Sequence, residues 1–122
     1  MTRVVGIVQK HKGNGRKFGY PTANIPVTPE HEEGVFTGWT YLEGKKLPSI
    51  VFIGAAETLG ETNKRLESYI LDFPDRDLYG EKIEVEILKK LRENKKFPSV
   101  ANLITQMKRD EKDARLIFAD LR

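Results

Sequence analysis

Three groups of residues in this chain have the types and spacing to do chemistry, and all of them offer oxygen or positive charge. The first is the run Gly13-Asn14-Gly15-Arg16-Lys17-Phe18-Gly19-Tyr20-Pro21-Thr22-Ala23-Asn24. Its glycines would let backbone N–H groups approach a phosphate, and Lys12, Arg16 and Lys17 would add charge. It matches neither the P-loop GxxxxGK[ST] nor the dinucleotide GxGxxG, since Phe18 stands where a glycine is needed. Read alone, it fits an ordinary surface loop better than a phosphate site. The second group is Thr22 and Asn24, two residues apart and therefore on one side of an extended backbone. Their neutral oxygens suit Mg²⁺, which takes part of its shell from substrate phosphates, but Thr and Asn also hydrogen-bond ordinary turns. The third is Glu67, a carboxylate whose alternate neighbours Tyr69, Leu71 and Phe73 are apolar, a setting that suits a general base. Solvated strand-end glutamates are commoner.

The elements that must position these residues are mostly strands. Residues 3–9 are rich in Val and Ile and read as a strand, and residues 10–19 as a loop. Pro21 drives Tyr20 into an extended conformation, so residues 22–27 continue as a short extended piece. Residues 34–42 (GVFTGWTYL) are dense in aromatic and β-branched side chains. Val35, Thr37, Trp39 and Tyr41 fall on one face, Phe36 and Leu42 on the other. Glu43-Gly44-Lys45-Lys46 turns the chain into a strand over residues 47–53. Residues 54–65 are polar and irregular. Residues 66–73 form the strand that carries Glu67, Pro74-Asp75-Arg76-Asp77 the next turn, and residues 82–91 an alternating, half-buried strand. Only the end is helical: Ser99 is the expected N-cap, and Val100, Leu103, Ile104, Met107, Ala114, Ile117, Phe118 and Leu121 recur as a core-facing stripe. Strands joined by short turns without βαβ spacing predict an all-β, mainly antiparallel barrel with a C-terminal helix.

A length of 122 residues suits one domain spanning residues 1–122. Hydrophobic residues make up 39% and charged residues 32%, the balance of a soluble globular chain, with no membrane-spanning run and no signal-peptide pattern. The absence of cysteine excludes disulfides and thiol catalysis, and His11 and His31 alone make a multi-histidine metal site untenable. The net charge of +3 is unevenly spread. The first 29 residues contain five basic and no acidic residues, and the rest contains 16 basic and 18 acidic. A basic block suits nucleotide phosphates or nucleic acid, and equally a solvated face.

Taken together, these residues resemble the riboflavin kinase (flavokinase) family, including the kinase domain of bifunctional FAD-synthesising proteins. The resemblance runs over residues 5–115 and rests on Gly15-Arg16, Gly19-Tyr20-Pro21-Thr22-Ala23-Asn24, Gly34-Val35-Phe36, Leu66-Glu67 and Asp77-Leu78-Tyr79-Gly80. It continues through Leu91-Arg92-Glu93, Lys96-Phe97-Pro98-Ser99, Leu103, Gln106-Met107, Asp110 and Ala114-Arg115. It implies a six-stranded Greek-key barrel with a C-terminal helix, and transfer of phosphate from ATP to the 5′-hydroxyl of riboflavin to give FMN. On that pattern Thr22 and Asn24 hold Mg²⁺ (or another divalent metal) against the nucleotide. Gly13, Gly15, Arg16, Lys17, Gly19, Tyr20 and Pro21 belong to the nucleotide side, Glu67 is the catalytic base, and Arg92 and Phe97 help enclose the flavin.

Two departures stand out. The family's usual Asn-Pro after Ile53-Gly54 is here Ala56-Glu57, and the usual His two places after the catalytic Glu is Tyr69. The expected partners are riboflavin/FMN and ATP/ADP for a cytoplasmic monomer with no nucleic acid and no membrane. FMN is the expected end product, since the chain carries no adenylyltransferase segment. A non-catalytic flavin- or nucleotide-binding regulator on the same barrel is the alternative. A nucleic-acid-binding barrel is disfavoured, because the aromatics lie in strands and Glu30, Glu32 and Glu33 follow the basic block.

Overall fold

The computed structural model describes residues 2–10, 19–60 and 62–121. Six strands are followed by one helix: β1 (Thr2–Ile7), β2 (Ala23–Pro26), β3 (Gly34–Leu42), β4 (Lys45–Gly54), β5 (Arg65–Ile70), β6 (Lys82–Arg92) and α1 (Val100–Asp120). All pairings are antiparallel and the sheet order is β1-β6-β3-β4-β5-β2. The two outer strands then approach each other. The Gln9 N–H donates to the Asn24 carbonyl at 2.8 Å, and a Cβ on Gly6 would lie 3.0 Å from Cβ of Ile25. Glycine at position 6 therefore lets β1 close against β2 into a nearly complete barrel. The all-β barrel with a C-terminal helix expected from the sequence is the observed fold.

β3 and β4 match their sequence pattern closely. Glu43 and Gly44 both adopt left-handed φ values, 51° and 77°, the geometry of a two-residue hairpin turn whose twist suits its strands. Lys45 and Lys46 already belong to β4. The barrel interior is filled by Val4, Val8, Ile25, Phe36, Leu42, Val51, Ile53, Leu66, Ile83, Val85 and their neighbours. Three buried hydroxyls share this interior. Ser49 donates to Thr40 at 2.8 Å, and Thr40 and Ser68 bond at 2.6 Å, so each of the three is paired.

The helix packs outside the barrel through Ala114 and Phe118, against Trp39, Ile50, Tyr69, Leu71 and Leu91. Trp39 and Phe118 rings lie 5.1 Å apart. Ser99 caps the helix by accepting the Asn102 N–H at 3.1 Å, as its position predicts. The apolar stripe is narrower than its periodicity suggests: Val100 and Leu121 are exposed, because the barrel wall meets only the middle of the helix and the residues around Phe118.

Three further sequence expectations are corrected. The strand expected over residues 66–73 ends at Ile70. Asp72 takes φ 57°, which breaks the alternation, so Leu71 packs under the helix while Phe73 joins the barrel-core cluster. The reversal therefore falls at Leu71–Asp72 rather than Pro74–Asp77. The first strand stops at Ile7, with Gln9 making only an isolated bridge. Between Gly54 and Arg65, by contrast, the chain is irregular as expected, with the turn at Gly60 closing a 3₁₀ helix at Glu57–Leu59.

Candidate active site

β5 alternates cleanly: Leu66, Ser68 and Ile70 are buried inward, and Arg65, Glu67 and Tyr69 are half-buried on the outer face. β2 pairs with it so that Asn24 stands directly opposite Glu67. Thr22 precedes β2, where Pro21 keeps the chain extended. Its hydroxyl donates to Glu67 Oε1 at 2.9 Å. The Asn24 amide nitrogen donates to Thr22 Oγ1 and to the Thr22 carbonyl, both at 3.4 Å. The three residues singled out at 22, 24 and 67 are thus brought into one cluster by strand pairing across 45 positions of sequence.

The donor set of this cluster is unusual in one respect. Asn24 is 6% exposed, and its Oδ1 is a buried acceptor with no hydrogen-bond partner among the described residues. Leaving such an atom dry is costly, so a buried acceptor of this kind points to something further that binds there. The Thr22 hydroxyl spends its proton on Glu67, accepts from Asn24 with one lone pair and keeps the other to offer. Among the described residues no three His, Cys, Asp or Glu side chains could hold a metal. A metal here would therefore rest on neutral oxygens, a carboxylate and ligands from a substrate, which suits Mg²⁺ better than Zn²⁺.

Beside this cluster stand two tyrosines. Tyr20 and Tyr69 meet edge to face with ring centroids 5.1 Å apart. Burial, and then a hydrogen bond to the Glu111 carboxylate, push the Tyr20 phenol up to about 12. Burial likewise raises Tyr69. Glu111 also accepts from Arg115 Nε at 2.9 Å, and Arg115 grips Asp72 with two bonds of 3.0 Å. The middle of the helix is in this way tied to the segment leading into Thr22.

Arg92 and Phe97 adjoin the helix at Asp110, the residue before Glu111. Arg92 is the last residue of β6, and its guanidinium is held by Asp110 through contacts of 3.0, 3.1 and 2.9 Å. Gln106 adds a fourth bond to Asp110 at 2.9 Å. The Arg92 guanidinium also lies over the Phe97 ring, 5.5 Å from its centroid. Phe97 is buried, and its N–H donates to Thr58 Oγ1 at 2.8 Å. The turn containing Ala56-Glu57 is therefore joined to the β6–α1 connection without the Asn-Pro pair usual in the family. Gly13, Gly15, Arg16 and Lys17 lie outside the described residues, while Gly19 takes φ 88°.

On the other flank, Pro21, Thr22, Ala23, Ser68 and Ile70 form one wall of a cleft whose opposite wall includes Phe73, Asp75, Arg76, Leu78 and Tyr79. Sequence reasoning did not assign these last residues to the site. Their signal was present in Asp77-Leu78-Tyr79-Gly80: Asp77 accepts the Tyr79 N–H at 2.8 Å, and Gly80 N–H donates to Val8 at 2.9 Å. That turn fastens the far wall to the barrel.

Comparison with known proteins gives the family and agrees with the fold. The family model described as Flavokinase: Riboflavin kinase matches residues 1–118. The chain is 39% identical over 112 residues to the "RNA-binding riboflavin kinase RibR" of Bacillus subtilis, covering 90% of this chain and 48% of that protein. It is 37% identical over 107 residues to the "Bifunctional riboflavin kinase/FMN adenylyltransferase" of Escherichia coli, covering 85% of this chain and 34% of that one. The chain thus spans half or less of the length of these relatives. The crystal structure of riboflavin kinase from Trypanosoma brucei superimposes with a TM-score of 0.68 at 22% identity, covering 96% of this chain and 79% of that one, and supports the fold. With barrel, helix and family model in accord over nearly its whole length, the chain belongs to the riboflavin kinase family.

Proposed function

We propose that this chain is a single riboflavin kinase domain that transfers the terminal phosphoryl group of ATP to the 5′-hydroxyl of riboflavin, giving FMN and ADP. The observation that carries this reading is the cluster of Thr22, Asn24 and Glu67, with the buried, unsatisfied Oδ1 of Asn24 beside a carboxylate. Phosphoryl transfer asks little covalent chemistry of a protein: it needs positioned phosphates, charge stabilisation and a group that orients the attacking hydroxyl. Glu67 would accept the hydroxyl proton as that oxygen attacks the terminal phosphorus and the bond to the departing diphosphate breaks. Thr22, by donating to Glu67, fixes the carboxylate's orientation. Thr22 and Asn24 would hold the divalent metal, which when bound neutralises phosphate charge. The cleft between Pro21 and Tyr79 suits the nucleotide. Pro21 lines that cleft, and Gly13, Gly15, Arg16, Lys17, Gly19 and Tyr20 would contribute to nucleotide binding, while Arg92 and Phe97 suit the flavin side.

The lack of cysteine fits a cytoplasmic setting, and we take the protein to act as a monomer. Among the described residues no helix is long and apolar enough to cross a membrane.

The test is conversion of riboflavin by the purified protein with ATP and Mg²⁺, read by chromatography of the flavins. FMN that requires all three components is the expected result. A second reading, a flavin-binding regulator that has lost turnover, draws support from the relative named as RNA-binding and from the basic first 29 residues. Tight flavin binding without FMN formation, with salt-sensitive RNA binding, would favour it.

A further inference from the structure

The two buried side-chain polar atoms left without a hydrogen-bond partner among the described residues are Asn24 Oδ1 and Arg65 Nε. Both adjoin Glu67. Asn24 faces it across the β2–β5 ladder, and Arg65 precedes it by two places on the same outer face of β5, about 7 Å away along the strand. The residues that flank Arg65 on the neighbouring strands are Pro26 and Gly54, neither of which offers a hydrogen-bonding side chain. Gly54 lies under the Asn94 amide, which is itself bonded to Glu33. A guanidinium is thus held in the wall of the site with a buried donor unspent.

Its place relative to Glu67 is informative. Thr22 precedes Ala23, which pairs with Ser68, so it lies towards the Tyr69 end of β5 from Glu67, and Arg65 lies towards the opposite end. With the nucleotide held at the Thr22 end, the phosphoryl group moves past Asn24 and Glu67 towards Arg65. We propose that Arg65 is an acceptor-side phosphate-binding residue, donating to the phosphoryl oxygens once they have joined the flavin hydroxyl. This rests on the kinase reading above. Arginine suits the task because its planar fork matches phosphate and stays charged. The proposal makes a distinction that a packing role would not: Arg65 should recognise the phosphorylated flavin far better than the unphosphorylated one.

The experiment is direct binding of riboflavin and of FMN to wild-type protein, Arg65→Met and Arg65→Lys, read by flavin fluorescence quenching, with thermal melts to confirm folding. In Arg65→Met, FMN affinity is expected to fall about ten- to a hundredfold, the range for losing a charged hydrogen bond. Riboflavin affinity and the KM for ATP should stay within about threefold of wild type, and Arg65→Lys should recover part of the FMN affinity. Equal affinity for FMN in wild type and a folded Arg65→Met would overturn the proposal. So would an equal loss for both flavins, or a loss confined to ATP. A wild-type protein that makes FMN while Arg65→Met behaves in these ways leaves the kinase reading standing; a wild type that binds no flavin overturns both.

Discussion

The ion pair between Arg92 and Asp110 should be the most sensitive single point in the docking of the helix. Asp110 is 5% exposed and accepts three contacts from Arg92 and one from Gln106. Asp110→Ala would remove all four and leave a guanidinium whose side chain is only 21% exposed facing the Phe97 ring. Breaking a buried pair by removing one partner costs about 3–5 kcal/mol. Because Arg92 keeps some access to water, about 3 kcal/mol is the reasonable figure. Unfolding entropy near 2.1 cal/mol/K per residue gives about 0.26 kcal/mol/K for a chain of 122 residues, so Tm should fall by about 12 °C. Thermal unfolding followed by circular dichroism would measure this. Asp110→Asn, which keeps shape and one acceptor, should lose less. Arg92→Met with Asp110→Leu should recover much of the loss, since no charge is then stranded. A fall in Tm below about 3 °C for Asp110→Ala would refute the reasoning and mean that water satisfies Arg92 as well as the carboxylate does.

The remaining predictions concern the site itself. Glu67→Gln should lower kcat for FMN formation about a hundred- to ten-thousandfold with little change in riboflavin binding; near wild-type turnover would remove Glu67 from the role of base. Thr22→Ala and Asn24→Ala should each raise the Mg²⁺ and ATP concentrations needed for half-maximal rate, measured by titrating each at saturating riboflavin, and unchanged dependence in both would exclude a metal site there. Tyr20→Phe tests the phenol buried against Glu111. Its pKa rises on folding from 10.0 to about 12, so the protonated form is favoured in the native state. The stability this provides is full below pH 10 and is lost as pH rises from there through about 12. Denaturant unfolding across that window should show a shallower decline in Tyr20→Phe than in wild type, with a residual slope from Tyr69 and Tyr41, which are also raised.

Local chemistry made much of this protein legible before any fold was in view. β3 and β4 announce themselves through β-branched and aromatic alternation around a Glu-Gly turn, and α1 through its Ser99 cap, because these signals arise from backbone sterics and neighbouring residues alone. The same is true of Thr22 and Asn24, whose two-residue spacing on an extended segment already sets them on one side. What sequence periodicity overstated was burial. Val100 and Leu121 share the helical stripe, yet no wall of the barrel reaches them. It also carried β5 three residues too far, since nothing local marks Asp72 as the residue that turns left-handed.

Only the tertiary structure decided which distant residues meet. Nothing in the spacing of Asn24 and Glu67 says that they pair, because strand register is set by how the whole barrel buries its inner faces, and a slip of one residue would turn Glu67 inward. The far wall of the cleft at Phe73 to Tyr79, the hold of Glu111 on Tyr20, and the position of Arg65 beyond Glu67 all depend on that register and on where the helix comes to rest. The sequence by itself determined the elements and the kinds of atoms available for chemistry. Long-range packing, which no local pattern encodes, determined which of those atoms share a site and which of them were left without a partner.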